Sequence, residues 1–146
     1  MSTSAIGATL DAIRAGLVAL PNLAEVNVFS GAIPVEEAGL KCIAFGDGDL
    51  REIAFAFGGS RQETWDITGQ IRTVSAWQGD TESTIKAARD EALDVFAELE
   101  TYLNDTYTST LPGTQITDAS ISSTFGPEGR VCSIAFTFQI LAVKNP

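Results

Sequence analysis

The chain has 146 residues, of which 45% are apolar, and it carries a formal net charge of −10 with no histidine. This length and apolar content predict a single folded domain, residues 1–146, and argue against global disorder. The acidic balance argues against sequence-independent binding of nucleic acid, which needs clustered Lys and Arg. Without histidine, the chain lacks the commonest general base and the commonest metal ligand.

The apolar pattern of the first half predicts a helix followed by short strands. Residues 4–20 have apolar side chains at helical spacing, with Ser4 as the candidate N-cap and Pro21 as the stop. Residues 24–29 then read as a short strand and residues 30–40 as a loop. Residues 41–45 and 50–57 are predicted to pair as a hairpin around a tight Gly-Asp-Gly-Asp turn.

The central part of the chain changes from strand to helix periodicity. Residues 63–77 alternate between apolar and polar side chains, which predicts a strand with one buried face. That face holds Trp65, Ile67, Ile71 and Trp77. From Thr81 the apolar residues recur at helical spacing as far as Leu103, which predicts a long helix with Asp80 as its N-cap. We expect the apolar stripe of this helix to pack against the odd-numbered strand face.

The end of the chain is predicted to form a long β-hairpin. Residues 115–125 are mostly polar, and residues 131–143 are strongly apolar. The polar strand is therefore predicted to lie at a sheet edge or a subunit contact. The order of elements predicts an α+β fold: a mostly antiparallel sheet with two helices packed on one face and a long C-terminal β-hairpin.

No pattern indicates a catalytic, cofactor or metal site. Asp47 and Asp49 could begin a cation loop, but the twelfth position, where an EF-hand needs glutamate, is Gly58. The Gly-Gly-Ser segment at residues 58–60 lacks the lysine and the following helix of a phosphate-binding loop. The serines have no histidine partner for nucleophilic catalysis. The acidic side chains of the long helix read as a solubilising face.

The two cysteines and two tryptophans are interpreted as core residues. Cys42 and Cys132 lie in apolar strand-like runs, which indicates buried thiols packed as small hydrophobes. A disulfide would need neighbouring strands, and no signal-peptide pattern supports one. Trp65 and Trp77 are predicted to be buried, with a stacking platform as the alternative. No run of about 18 apolar residues is present, so we expect no membrane span.

The order of elements resembles the tail terminator (tail completion) proteins of long-tailed bacteriophages, over nearly the whole chain. The matching features begin with an opening helix and a short strand, Val-Asn-Val-Phe at residues 26–29. A strand with Trp-Asp-Ile at residues 65–67 then precedes an Ala- and Glu-rich helix at residues 87–103. The last strand reads Cys-Ser-Ile-Ala-Phe-Thr-Phe-Gln-Ile. This chain has extra loop residues at 30–40, and the pattern carries no invariant site residue.

The resemblance implies a structural virion protein rather than an enzyme, without cofactors, made in the host cytoplasm. Such subunits form a ring, commonly a hexamer, that caps the tail tube and joins it to the neck or head-completion proteins. Genomic DNA would pass through the ring without being specifically bound, and no membrane is involved. The alternatives are another neck or minor tail protein, a small-molecule binding module using the Trp65 and Trp77 sheet face, or a histidine-free enzyme using carboxylates.

A ring subunit needs strand edges and loops that contact copies of itself. The candidate interface residues are Glu36, Glu37, Gln115, Thr117, Ser120, Ser122, Glu128 and Arg130.

Overall fold

A computed structural model describes residues 4–31, 39–55, 58–107, 115–126 and 129–144. The elements in chain order are α1 (Ile6–Val18), a 3₁₀ turn (Pro21–Leu23), β1 (Asn27–Phe29), β2 (Lys41–Phe55), β3 (Arg61–Ser75), α2 (Thr81–Tyr102), a π-helical turn (Leu103–Tyr107), β4 (Gln115–Gly126) and β5 (Gly129–Lys144). Two helices and one sheet confirm the predicted α+β class.

The five strands form one sheet in the order β1-β2-β3-β5-β4. β1 pairs with β2 in parallel, and the other three pairings are antiparallel. β3 and β5 are paired from Arg61 opposite Lys144 to Ser75 opposite Arg130, so they form the centre of the sheet. The predicted C-terminal hairpin is confirmed as β4 and β5.

One face of the sheet carries the hydrophobic core beneath the helices. The predicted stripe of α2 is confirmed, since Ala88, Ala92, Val95 and Leu99 are buried together with the inward-facing residues of β3 and β5. The Phe45 ring meets the Phe138 ring at a centroid distance of 5.9 Å and an interplanar angle of 68°. Such edge contacts suit the charge distribution of aromatic rings.

Gly69 makes room for the aromatic ring of Phe136 in the middle of this core. It lies opposite Phe136 in the β3–β5 pairing. A Cβ at position 69 would lie 2.4 Å from the Cζ atom of the Phe136 ring. The absence of a side chain at position 69 therefore leaves the space that the tip of the Phe136 ring occupies.

The predicted hairpin within residues 41–57 is wrong, because β2 is one continuous strand as far as Phe55. Between Phe45 and Gly48 the pairing with β3 shifts, so the Gly-Asp-Gly-Asp segment forms a β-bulge instead of a turn. A two-residue hairpin turn needs positive φ, and no residue from 46 to 49 has it. Positive φ occurs at Gly58 and Gly59, and the chain reverses there between β2 and β3.

The first helix and strand are shorter than predicted. Helix α1 begins at Ile6 with Ala5 at the N-cap position, although the Ser4 hydroxyl still accepts the Ile6 N–H at 3.2 Å. After the helix, the 3₁₀ turn continues through residue 23, and the Val26 N–H donates to the Leu23 carbonyl. The turn that this hydrogen bond closes contains residues 24 and 25, which were predicted to begin β1.

The predicted burial of Trp77 is also wrong, since β3 ends at Ser75 and the Trp77 side chain is 65% exposed. The chain leaves the sheet there to begin α2. The Gln78 N–H donates to the Thr84 hydroxyl at 3.0 Å. Asp80 is the N-cap of α2 as predicted, because its carboxylate accepts the Ser83 N–H at 2.7 Å.

The two cysteines are buried and free, as the sequence predicted. Cys42 lies on β2 opposite Arg72, and Cys132 lies on β5 opposite Thr73. Because adjacent residues of β3 point to opposite faces of the sheet, the two thiols also lie on opposite faces. Burial raises the pKa of each thiol, which disfavours the reactive thiolate.

Candidate assembly surfaces

Strand β4 forms one open edge of the sheet. It is the last strand in the order, and within the described part of the chain no strand lies beyond it. Four of the predicted interface residues, Gln115, Thr117, Ser120 and Ser122, lie on this strand with exposed side chains. An open strand presents unpaired backbone N–H and C=O groups, which form a template for pairing with another chain.

The remaining predicted interface residues divide into two groups. Glu36, Glu37 and Glu128 lie outside the residues that the structure describes. Arg130 begins the inner strand of the terminal hairpin and is half-buried. Its guanidinium carbon lies 5.3 Å from the centre of the Phe125 ring, which is a cation–π contact on the outer strand. Arg130 therefore contacts the edge strand from the neighbouring inner strand of the hairpin.

The chemistry of β4 leaves this edge weakly protected against pairing. The strand has one charged residue, Asp118, and contains no lysine, arginine or proline. Proteins commonly protect edges with lysine, proline or a bulge. β4 has a bulge at Thr117, but residues 118–126 pair regularly with β5. Those nine positions form a regularly paired edge whose one charged residue is Asp118.

A second open edge, which the sequence did not predict, is the distal segment of β2 (residues 46–55). β1 covers β2 only at residues 42–44. Every side chain of the distal segment is exposed, including the apolar Leu50, Ile53 and Phe55. Within the described residues, no strand pairs with the outer side of this segment. The alternation of apolar residues was visible in the sequence, but the false hairpin assignment hid the edge.

Both open edges carry exposed apolar side chains on the helix-bearing face of the sheet. Directly paired residues of antiparallel strands point to the same face. On β2, Ile53 lies opposite the buried Glu63 of β3. On β4, Ile121 lies opposite the buried Ile134 of β5, and it remains 51% exposed. The helices therefore leave an apolar row uncovered at each side of the sheet.

An apolar cluster also lies at the end of the terminal hairpin. Trp77 and Phe125, which is 77% exposed, line a depression of about 320 Å³ together with Thr84 and Arg130. Trp65 lies near the other end of β3, half-buried against the core. The two tryptophans therefore do not form a shared pocket, contrary to the small-molecule alternative.

Glu63 is a buried carboxylate that sequence reasoning did not single out. Its side chain is fully buried on the helix-bearing face of β3. Oε1 accepts the Ser4 hydroxyl at 2.6 Å and the Ala5 N–H at 3.2 Å, and Oε2 lies 2.8 Å from Arg61 Nη2. The indole N–H of Trp65 points to Oε1 at 3.4 Å. Glu63 therefore joins the start of α1 to the end of the sheet.

Burial alone raises the pKa of the Glu63 carboxyl, but the hydrogen bonds that it accepts outweigh this effect. Donors from Ser4, Arg61, Ala5 and Trp65 hold the pKa below its usual range. The negative charge also suits the positive end of the α1 dipole. The only sequence signal for burial was that Glu63 lies four residues before the buried Ile67, so both side chains point to the same face of β3.

The acidic side chains beside α2 lie apart along the helix surface. A groove of about 530 Å³ beside α2 is lined by Lys41, Glu91, Asp94 and Glu98, among others. These acids lie along one helix surface, and Glu98 accepts a hydrogen bond from Asn22 at 3.0 Å. In the described part of the chain, no three His, Cys, Asp or Glu side chains are grouped so that they could hold a metal ion.

Within the described residues, we find no helix with the length and apolar character needed to cross a membrane.

Comparison with known proteins gives a likeness of fold without a likeness of sequence. No protein-family model matches the chain, and no curated protein sequence matches it. Among solved structures, the chain is similar to one from the virion of a native gene transfer agent (GTA) particle. The two are 15% identical, with a TM-score of 0.54, and the match covers 98% of this chain and 100% of the other. The chain thus has the fold of a virion chain over nearly its whole length.

Proposed function

We propose that this chain is a structural virion protein, and that it acts as a tail terminator of a long-tailed, phage-like particle. The observation that carries the proposal is the fold shared with the GTA virion chain over 98% of this chain and the whole of the other. Since that likeness is one of fold, the terminator role rests on the order of elements and on the assembly surfaces. The two open sheet edges supply what a subunit that contacts its own copies requires.

In this proposal identical subunits form a closed ring, with a hexamer as the first choice. The ring caps the tail tube and joins it to a neck or head-completion protein. Head-to-tail contacts between identical chains close into rings when the rotation permits. The protein would be made in the host cytoplasm and would then reside in the virion, at the tail or neck. Another neck or minor tail protein is the alternative with the same fold.

The charge of the subunit suits a ring through which genomic DNA passes without being bound. Each copy carries a net charge of −10, and like charge suppresses contact with phosphate groups. The same charge opposes assembly, because six copies bring their negative charges together. Salt weakens this repulsion, since the Debye length is about 10 Å at 0.1 M ionic strength.

Mass measurement across a salt series, combined with electron microscopy, tests the ring. We expect monomers or mixtures at low salt and low protein concentration, and rings at higher salt or when tail tubes are added. Glu36→Gln and Glu37→Gln should promote assembly if that loop lies at the contact, more than Glu82→Gln on the exposed start of α2. Monomers at every salt concentration, with no ring on tail tubes, would refute the proposal.

We further propose that the protein has no catalytic activity. The motive is the lack of histidine and of a matched nucleophile and base among the described residues. Assays with phosphate, peptide and ester substrates should give background rates. Turnover that disappears in the variant Asp47→Asn would contradict this expectation.

A further inference from the structure

We propose that the ring contact is a strand pairing: β4 of one copy adds to the distal segment of β2 (residues 46–55) in the next copy. This inference rests on the proposed ring function and names the surfaces that would build it. The occupant of each open edge is a second copy of this chain. The sheets of neighbouring subunits would then be continuous.

The strand directions favour this pairing. β2 is antiparallel to β3, β3 to β5, and β5 to β4. β4 therefore runs antiparallel to β2 within one subunit. When copies follow one another in the same orientation, as in a ring, β4 of one copy meets β2 of the next as an antiparallel neighbour. Antiparallel pairing is also slightly more stable per residue than parallel pairing.

The faces of the two strands match as well. Ile121 and Phe125 on β4 and Ile53 and Phe55 on β2 all belong to the helix-bearing side. In a continuous sheet with every helix on the same side, these exposed side chains become cross-strand neighbours once the next copy is shifted along the strands to bring residues 118–126 beside residues 46–55. Apolar cross-strand pairs are a main source of sheet stability. One contact would thus cover both apolar rows.

The charges at the proposed contact are unevenly divided between the two strands. β4 contributes only Asp118, at the end next to its bulge. The distal segment of β2 contributes the exposed acids Asp47, Asp49 and Glu52, and its Arg51 forms an ion pair with Asp66 of the same subunit. Part of the repulsion between copies therefore arises at the contact itself, and salt can screen it because these side chains are exposed.

A head-to-tail contact uses both edges, whereas a two-fold contact would use one. Two β4 strands could pair about a two-fold axis, but the distal segment of β2 would then stay open in both copies. Pairing β4 with β2 gives every subunit the same two neighbours. Contacts of this kind generate a closed ring when the rotation between copies permits, and an open filament when it does not.

Cross-linking between Ile53→Cys and Ile121→Cys tests the pairing directly. Both positions are exposed, and the unmodified chain with its buried Cys42 and Cys132 serves as the background control. With a short bismaleimide at a salt concentration that gives assembly, a mixture of the two single variants should form covalent dimers. Neither single variant alone should do so. The double variant should give a ladder of higher oligomers.

The outcomes separate this inference from the proposed function. Rings seen by microscopy without the mixed cross-link would overturn the strand pairing and leave the ring function standing. Dimers formed by Ile121→Cys alone would show two-fold pairing of β4 and would overturn the head-to-tail arrangement. A monomer that neither assembles nor cross-links would overturn both.

A charge-matched pair of variants gives an independent readout. Ser120→Glu adds a carboxylate to the exposed edge of β4, and Thr101→Glu adds one to the exposed surface of α2. Both raise the net negative charge of the subunit by one, but only the first places the new charge on the strand that would lie beside the acidic distal segment of β2. We expect Ser120→Glu to raise the protein concentration needed for assembly at least tenfold, and Thr101→Glu to raise it much less. Circular dichroism should show that both variants fold, and Ser122→Glu repeats the test if Ser120→Glu does not. Equal assembly by the edge and control variants would refute the pairing.

Discussion

Replacing Glu63 by glutamine tests the role of the buried carboxylate at the start of α1. The variant keeps the shape of the side chain but removes its charge. One amide oxygen can still accept from Ser4 and Ala5. The amide NH₂ group then faces the guanidinium group of Arg61, so two donors meet where an ion pair stood at 2.8 Å.

The expected loss of stability follows from the burial of this group. Breaking one partner of a buried ion pair typically costs about 3–5 kcal/mol. Arg61 is 27% exposed, so water can partly solvate it after the substitution. We therefore expect Glu63→Gln to lower the free energy of unfolding by about 2–4 kcal/mol at pH 7. This corresponds to a fall of roughly 10 °C in the melting temperature for a domain of this size.

The effect should depend on pH in a defined direction. The pKa of Glu63 is lower in the folded protein than in the unfolded chain. The carboxylate's contribution to stability is thus fully present above the unfolded-state value of about 4.3 and is lost as the pH falls through the folded value. The difference between the wild type and Glu63→Gln should therefore be largest at neutral pH and should shrink below about pH 4.

Urea denaturation at a series of pH values measures this difference, with Glu100→Gln on the exposed side of α2 as the matched control. The control should change the free energy of unfolding by less than about 0.5 kcal/mol. A Glu63→Gln effect below about 1 kcal/mol at pH 7 would mean that the buried ion pair contributes little. An effect that does not change with pH would refute the assignment to the ionised carboxylate.

Three further predictions concern the core, and chemical denaturation checks each of them. Gly69→Ala should destabilise the fold by about 1–3 kcal/mol, because the new methyl group meets the Phe136 ring; an unchanged midpoint would show that the ring moves freely. Leu99→Ala should cost about 2–5 kcal/mol, as for a fully buried leucine, and a loss below about 1 kcal/mol would contradict its place in the core. Trp65→Ala should cost more than about 1 kcal/mol while Trp77→Ala stays within about 0.5 kcal/mol, and equal effects would refute the different burial of the two rings.

The sequence was sufficient to predict the long elements in which the apolar residues follow one clear pattern. α2 and the terminal hairpin were predicted nearly to their ends, because a stripe at helical spacing and a polar strand beside an apolar one each have a single simple interpretation. Asp80 was identified as the cap because Gly79 precedes it and the helical pattern follows. The edge position of β4 also followed from its polar side chains.

The features that were missed depend on backbone details that composition does not show. The Gly-Asp-Gly-Asp segment has turn chemistry, but pairing with β3 absorbs it as a bulge, and Thr68 donates to the Asp47 carbonyl there. On β4, the bulge at Thr117 brings Ile116 and Ile121 to the same face, although their spacing predicted opposite faces. A one-residue irregularity reverses every side chain beyond it.

The burial of Glu63 was missed for a different reason, because its side chain is polar. A carboxylate on an apolar strand face is predicted to be exposed unless its partners are known. Those partners lie at Ser4, 59 residues away in sequence, and at Arg61. Only the folded chain brings the start of α1 to the end of β3.

The two open edges lie at different heights along the strands, and this offset sets the shape of any ring built by joining them. The regular part of β4 begins at Asp118, which lies opposite Thr137 of β5. The distal segment of β2 ends at Phe55, which lies opposite Arg61 of β3, and Arg61 in turn lies opposite Lys144 of β5. Each copy must therefore slide along its neighbour to bring the edges side by side. Repeated around a closed circle, such a stagger inclines the strands to the ring axis, as shear does in a β-barrel. The assembly would then be handed, and its circumference would depend on how far each copy slides.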